Sequence, residues 1–84
     1  MNVMKHVLRV LDDALHLQQR ALSFNAETPL LGSLPELDSM AAVALITGLE
    51  THFGVTFDET DLNADTFATV GSLCSLVQAY VASA

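Results

Sequence analysis

Apolar residues fall at Val3, Met4, Val7, Leu8, Leu11, Leu15 and Leu22, a spacing near 3.6 that lays one apolar stripe along a helix. The pattern predicts an amphipathic helix from residue 2 to about residue 21. The next stretch, SFNAETPLLGSLPELD (Ser23 to Asp38), holds two prolines, a glycine and several Ser, Asn and Asp residues, the composition of a loop. Loops of this length are uncommon in small domains unless they are functional or pinned to the core. Leu30, Leu31, Leu34 and Leu37 are available to pin it.

A second helix is expected after Asp38 or Ser39, because either side chain can accept a hydrogen bond from an orphan N–H in the first turn. It should end near Phe53, with Gly54 free to take the left-handed closing conformation. Asp58 or Thr60 can start a short third helix, Asn63 to Thr66 reads as a turn, and Thr69 caps a last helix. In that helix Val70, Leu73, Cys74, Val77, Tyr80 and Val81 repeat with helical period. No segment alternates with period two over a useful length. The expected fold is therefore all-α: a small four-helix bundle with a long loop between helices 1 and 2.

The second helix departs from an ordinary amphipathic pattern. Met40, Val43, Leu45, Ile46, Leu49 and Phe53 cover more than a core stripe needs, and Ala41, Ala42 and Ala44 leave the remainder small and smooth. Such a helix is either enclosed or presents a docking face. Enclosure is difficult in 84 residues, a length that buries only about 60 to 65% of the unfolded surface and supports one domain, taken as residues 1 to 84. Gly48, mid-helix, costs roughly 1 kcal/mol relative to alanine, which fits either close approach of another helix or tethered chain, or no constraint at all.

Composition removes several function classes. The longest apolar run, Met40 to Ile46, falls far short of the roughly 20 residues that cross a bilayer. Asp12 and Asp13 interrupt what would be the apolar centre of a signal peptide, so a soluble, cytoplasmic, monomeric protein is expected. Cys74 is the single cysteine, which excludes an internal disulfide and a thiolate metal cage; its neighbours Leu73, Leu76 and Val77 read it as a buried apolar residue. The formal charge is -7, and residues 21 to 84 carry eight acids with no lysine or arginine. That surface repels phosphate backbones, so nucleic acid is not an expected partner.

Catalytic sets are missing as well. His6, His16 and His52 are scattered and form no i, i+4 metal pair, so they read as structural histidines and no metal site is expected. Asp58, Glu59 and Asp61 lack the Gly and closing Glu of a calcium loop and read as a solvated helix start. Ser39, taken alone, reads as a helix cap.

Four landmarks change that reading. Asp38-Ser39-Met40, the run Leu49-Glu50-Thr51-His52-Phe53-Gly54-Val55, Phe57-Asp58-Glu59, and Thr69-Val70 occur in this order within 33 residues. The chain resembles the acyl carrier proteins, in which an Asp-Ser-Leu motif opens the second helix and the other landmarks follow at matching separations. The resemblance implies that Ser39 carries a 4'-phosphopantetheine arm, attached by a separate phosphopantetheinyl transferase using coenzyme A and Mg2+. Asp38 and Met40 complete the motif, and Asp38 would orient that metal or meet a basic residue of the transferase. The protein would then be a non-catalytic carrier, presenting a thioester to acyl/AMP ligases, acyltransferases and other acyl-processing enzymes of a fatty-acid, polyketide or dedicated specialised pathway.

Val43, Ile46, Thr47 and Glu50 are assigned to the docking face. Val7, Leu11, Leu15, Leu45, Leu49, Phe53, Val70, Leu73 and Val77 are assigned to a core around a cavity that could sheath an aliphatic cargo. Where fatty-acid carriers place acids along the second helix, this chain has Ala41, Ala44, Thr51 and His52, which favours a dedicated partner set with more apolar contact. The sequence leaves two alternatives open: a stand-alone aminoacyl or peptidyl carrier, against which Glu36-Leu37-Asp38 weighs, and an unmodified helical adaptor.

Overall fold

The computed structural model describes residues 2–35 and 37–83. Three helices form among them: α1 (Val3–Leu15), α2 (Ser39–Phe53) and α3 (Val70–Ser83). Two short 3-10 turns, Arg20–Ser23 and Glu59–Asp61, sit in the connections. Helix α1 packs against both α2 and α3. Its stripe of Val7, Leu11 and Leu15 joins Leu45 and Leu49 of α2 and Val70, Leu73 and Val77 of α3 in one buried core. Phe53, assigned to the core from sequence, is only partly buried and packs at its edge.

Helix α1 stops at Leu15, well short of the expected residue 21, and Asp12 explains the early stop. His16 takes the left-handed conformation (φ 54), and the Asp12 carbonyl accepts the N–H groups of both His16 and Leu17, a closing pattern that satisfies a carbonyl the helix leaves free. The Asp12 carboxylate then accepts Gln19 N–H at 3.1 Å and Ala21 N–H at 3.2 Å. These bonds hold Gln18 and Gln19 at positive φ, a conformation disfavoured for residues with a side chain. The chain turns there, burying Leu17 and Ala21 and leaving Leu22, read from sequence as part of the stripe, 52% exposed.

The long connection is pinned chiefly by backbone. Leu30 and Leu31 donate to the carbonyls of Ala68 and Phe67, while Val70 and Gly71 donate to those of Thr28 and Ala26. The loop thereby supplies acceptors to the first turn of α3, whose N–H groups have none within the helix. Leu30 is fully buried, whereas Leu31, expected to share the pinning, is 49% exposed. Thr69 caps α3 as expected: its hydroxyl accepts Ser72 N–H, and the Ser72 hydroxyl accepts Thr69 N–H.

The fourth helix expected from sequence is absent among the described residues. In its place Glu59–Asp61 makes one 3-10 turn. Asp58 accepts both Thr60 N–H and the Thr60 hydroxyl, and the Tyr80 hydroxyl accepts Asp58 N–H while donating to Asp61. A helix this short does not recover its nucleation cost, so side-chain bonds satisfy the backbone instead. The expected turn at Asn63 to Thr66 is present, closed by Thr66 N–H on the Asn63 carbonyl and side chain. Cys74 is buried, and burial raises its thiol pKa.

Two glycines mark close approaches. A Cβ on Gly48 would lie 2.9 Å from Val10 Cγ1, so the mid-helix glycine lets α1 come close to α2. A Cβ on Gly71 would lie 2.8 Å from the Ala26 carbonyl oxygen, the atom that accepts Gly71 N–H. Gly71→Ala is therefore expected to destabilise by about 1–3 kcal/mol in urea denaturation, despite alanine's helix propensity. An unchanged midpoint would show that the loop yields freely.

Tyr80 gives a pH dependence. Its pKa is raised above 10.0, chiefly because the hydroxyl donates to Asp61. A raised folded value contributes stability that is complete below the unfolded pKa and is lost as pH rises through the folded one. The melting temperature should fall as pH rises above about 10, and Tyr80→Phe should remove that part of the fall.

Candidate functional site

The site forms where the loop meets α2. Asp38 is the N-cap: its backbone is extended, its carboxylate accepts Ala41 N–H at 2.8 Å, and its carbonyl accepts Ala42 N–H. Of the two capping candidates in the sequence, Asp38 takes the role. Ser39 is consequently the first residue inside the helix. It is exposed, and among the described residues its hydroxyl has no hydrogen-bond partner.

Ser39 and Met40 carry backbone N–H groups at the start of the helix, which no earlier turn can pair. Together with the helix dipole they form a favourable position for an anion bonded at the serine. Beside them opens a hollow of about 360 Å3, lined by Leu31, Leu37, Asp38, Ser39, Ala42 and Phe67. A larger open groove of about 620 Å3 runs between α1 and α2 along Ala14, Ala44 and Gly48. That groove does not include Ser39, so the smaller hollow is the one that bears on the site.

Helix α2 turns Leu45 and Leu49 into the core and leaves Met40 81% and Val43 64% exposed. Ala44 and Thr47 are exposed beside them, and Ile46 is half-buried. Three of the four residues assigned to docking thus stand wholly or partly at the surface without an internal polar task. Glu50 differs. Its carboxylate accepts Phe57 N–H at 2.9 Å, and its carbonyl accepts the N–H groups of Gly54 and Val55. These bonds turn the chain after α2 and commit the carboxylate to the fold. Sequence reasoning saw its charge but not this bond, which spans seven residues. Glu36 lies outside the described residues.

The fold also pairs two histidines that looked unrelated in sequence. His6 Nδ1 and His52 Nε2 are 2.8 Å apart, joining the first turn of α1 to the last turn of α2. Desolvation, then His52, Arg9, Lys5 and the amino-terminal charge, lower the pKa of His6. No group of three or more His, Cys, Asp or Glu that could hold a metal occurs among the described residues, and no helix there is long and apolar enough to cross a membrane.

The family profile described as "Phosphopantetheine attachment site" matches residues 5–77. The chain belongs to that family of carrier domains. It is also similar to the holo acyl carrier protein of Nitrosomonas europaea solved by solution NMR, with 42% identity and a TM-score of 0.87 over 94% of this chain and 95% of that one. A comparison with curated proteins finds no match. As an acyl carrier protein the molecule is a non-catalytic carrier with covalently attached phosphopantetheine, and it works with a phosphopantetheinyl transferase and acyl-processing enzymes.

The residues present fit that group: an accessible hydroxyl, unpaired amides for a phosphate and an apolar hollow alongside. When bound, the group supplies a thiol that holds cargo as a thioester. Holding the serine's turn in shape falls to Asp38. Asp38→Ala should cost about 1 kcal/mol of stability while Asp38→Asn retains most of it, with faster hydrogen exchange at Ala41 only in the alanine variant.

Proposed function

We propose that Ser39 is the attachment point of 4'-phosphopantetheine and that the protein carries an acyl group on this arm as a thioester. The observation that carries the reading is the division of labour at the start of α2. Asp38 supplies the cap, so the adjacent hydroxyl is exposed and unspent. The Nitrosomonas europaea relative was solved as a holo protein, which supports a modified form here.

Partner enzymes would dock on the exposed face formed by Met40, Val43 and Thr47, with Ile46 at its edge and Asp38 beside the serine. Glu50 contributes mainly by shaping the end of α2. This face carries little charge, so contact with a transferase or acyl ligase would rest on apolar burial more than on ion pairing. A dedicated partner set, in the cytoplasm and meeting a monomeric carrier of residues 1–84, fits such a face better than one selected for strongly acidic carriers. The assignment to an acyl rather than an aminoacyl cargo follows the family similarity.

Coexpression with a broad-specificity phosphopantetheinyl transferase is expected to raise the intact mass of the wild type by one phosphopantetheine equivalent and to leave Ser39→Ala unchanged. An equal gain in the variant, or none in the wild type, would refute the assignment. The same reaction measured over rising salt should slow only weakly, since apolar contacts are not screened.

A further inference from the structure

We propose that His6 and His52 form a two-imidazole chelation site for a divalent transition metal ion, of which Ni2+ and Cu2+ fit best, that staples α1 to α2. The two ring nitrogens face each other 2.8 Å apart. They come from positions 46 residues apart in the chain, so the fold and not local sequence creates the pair. Metal–imidazole bonds of about 2.0–2.1 Å put two neighbouring nitrogens about 2.9 Å apart at a right angle and about 3.3 Å apart at a tetrahedral one. The observed separation lies nearest the right-angle value of a square-planar or octahedral ion. One of the two facing nitrogens carries the proton of that hydrogen bond, so binding shifts this proton to the same ring's far nitrogen by tautomer exchange, and a ring rotation then aims both lone pairs at one point.

The surroundings favour that rotation over collapse of the pair. Phe53 lies edge-on to both rings, with centroids 5.0 Å from His52 and 6.2 Å from His6, and walls them on one side. The hydrogen bond itself is exposed, so an ion can enter and complete its coordination with water. Lys5 and Arg9 share the same part of α1. Their charges oppose any cation held by Coulomb attraction alone, which excludes Mg2+ and Ca2+ and leaves ions that bond imidazole directly. The site is independent of Ser39 and of the modification there.

The test is calorimetric titration of Ni2+ into the full chain at neutral pH in a non-coordinating buffer, with thermal melts alongside. One equivalent should bind. His6→Gln and His52→Gln should each weaken affinity by at least about tenfold, because each converts a chelate into a single ligand. His16→Gln should bind like the wild type. The wild-type melting temperature should climb with Ni2+ concentration, and the climb should vanish in either chelate variant. If His6→Gln does not fold, His6→Phe, which keeps a ring against Phe53, takes its place. Undiminished binding in either single variant, loss in His16→Gln, no binding at all, or equal affinity for Mg2+ would each overturn the proposal.

Discussion

The bond from Ala41 N–H to the Asp38 carboxylate decides how α2 begins, and with it the position of everything that bears on function. A helix must satisfy its first amides from outside its own turns. Because Asp38 does so from the preceding residue, the serine enters the helix as its first member, with its hydroxyl outside the capping geometry. Were Ser39 the cap, the same oxygen would be held by a backbone amide, and its exposure would mean little. Neighbouring residues thus take two tasks that either could have performed.

A second constraint sets the frame around this start. The loop before α2 lends its carbonyls to the first turn of α3, so the segment leading to Ser39 is anchored at the opposite side of the core. Leu30 adds a fully buried side chain to those bonds. Gly71 makes the arrangement possible by letting a carbonyl approach to within reach of its amide. At the far end of α2, Glu50 and Gly54 close the helix and turn the chain back over Phe57. Both ends of the functional helix are therefore fixed by polar bonds to backbone, while its middle is held by apolar packing, with Leu45 and Leu49 buried and Ile46 packed against the core.

Much of this was legible in the sequence. The 3.6 periodicity located α1 and α3 and much of the core, and the capping residues placed both ends of α2 and the start of α3. Ser39 stood out only through the surrounding landmarks, since a serine before a helix carries little information by itself. The misses share a physical cause. Asp12 ends α1 early through bonds to residues seven and nine positions on, Tyr80 replaces an expected helix with a bridged turn from across the bundle, and Glu50 spends its charge inside the fold. His6 and His52 meet only after α1 and α2 have packed. Each is a side-chain bond between distant positions, invisible to periodicity and composition.

The buried thiol of Cys74 has a consequence for the cargo. Sulfur attacks a thioester as thiolate, and this side chain is both shielded by the core and held in its protonated form by that shielding. An acyl group in transit on the molecule would thus face no rival thiolate from the polypeptide itself.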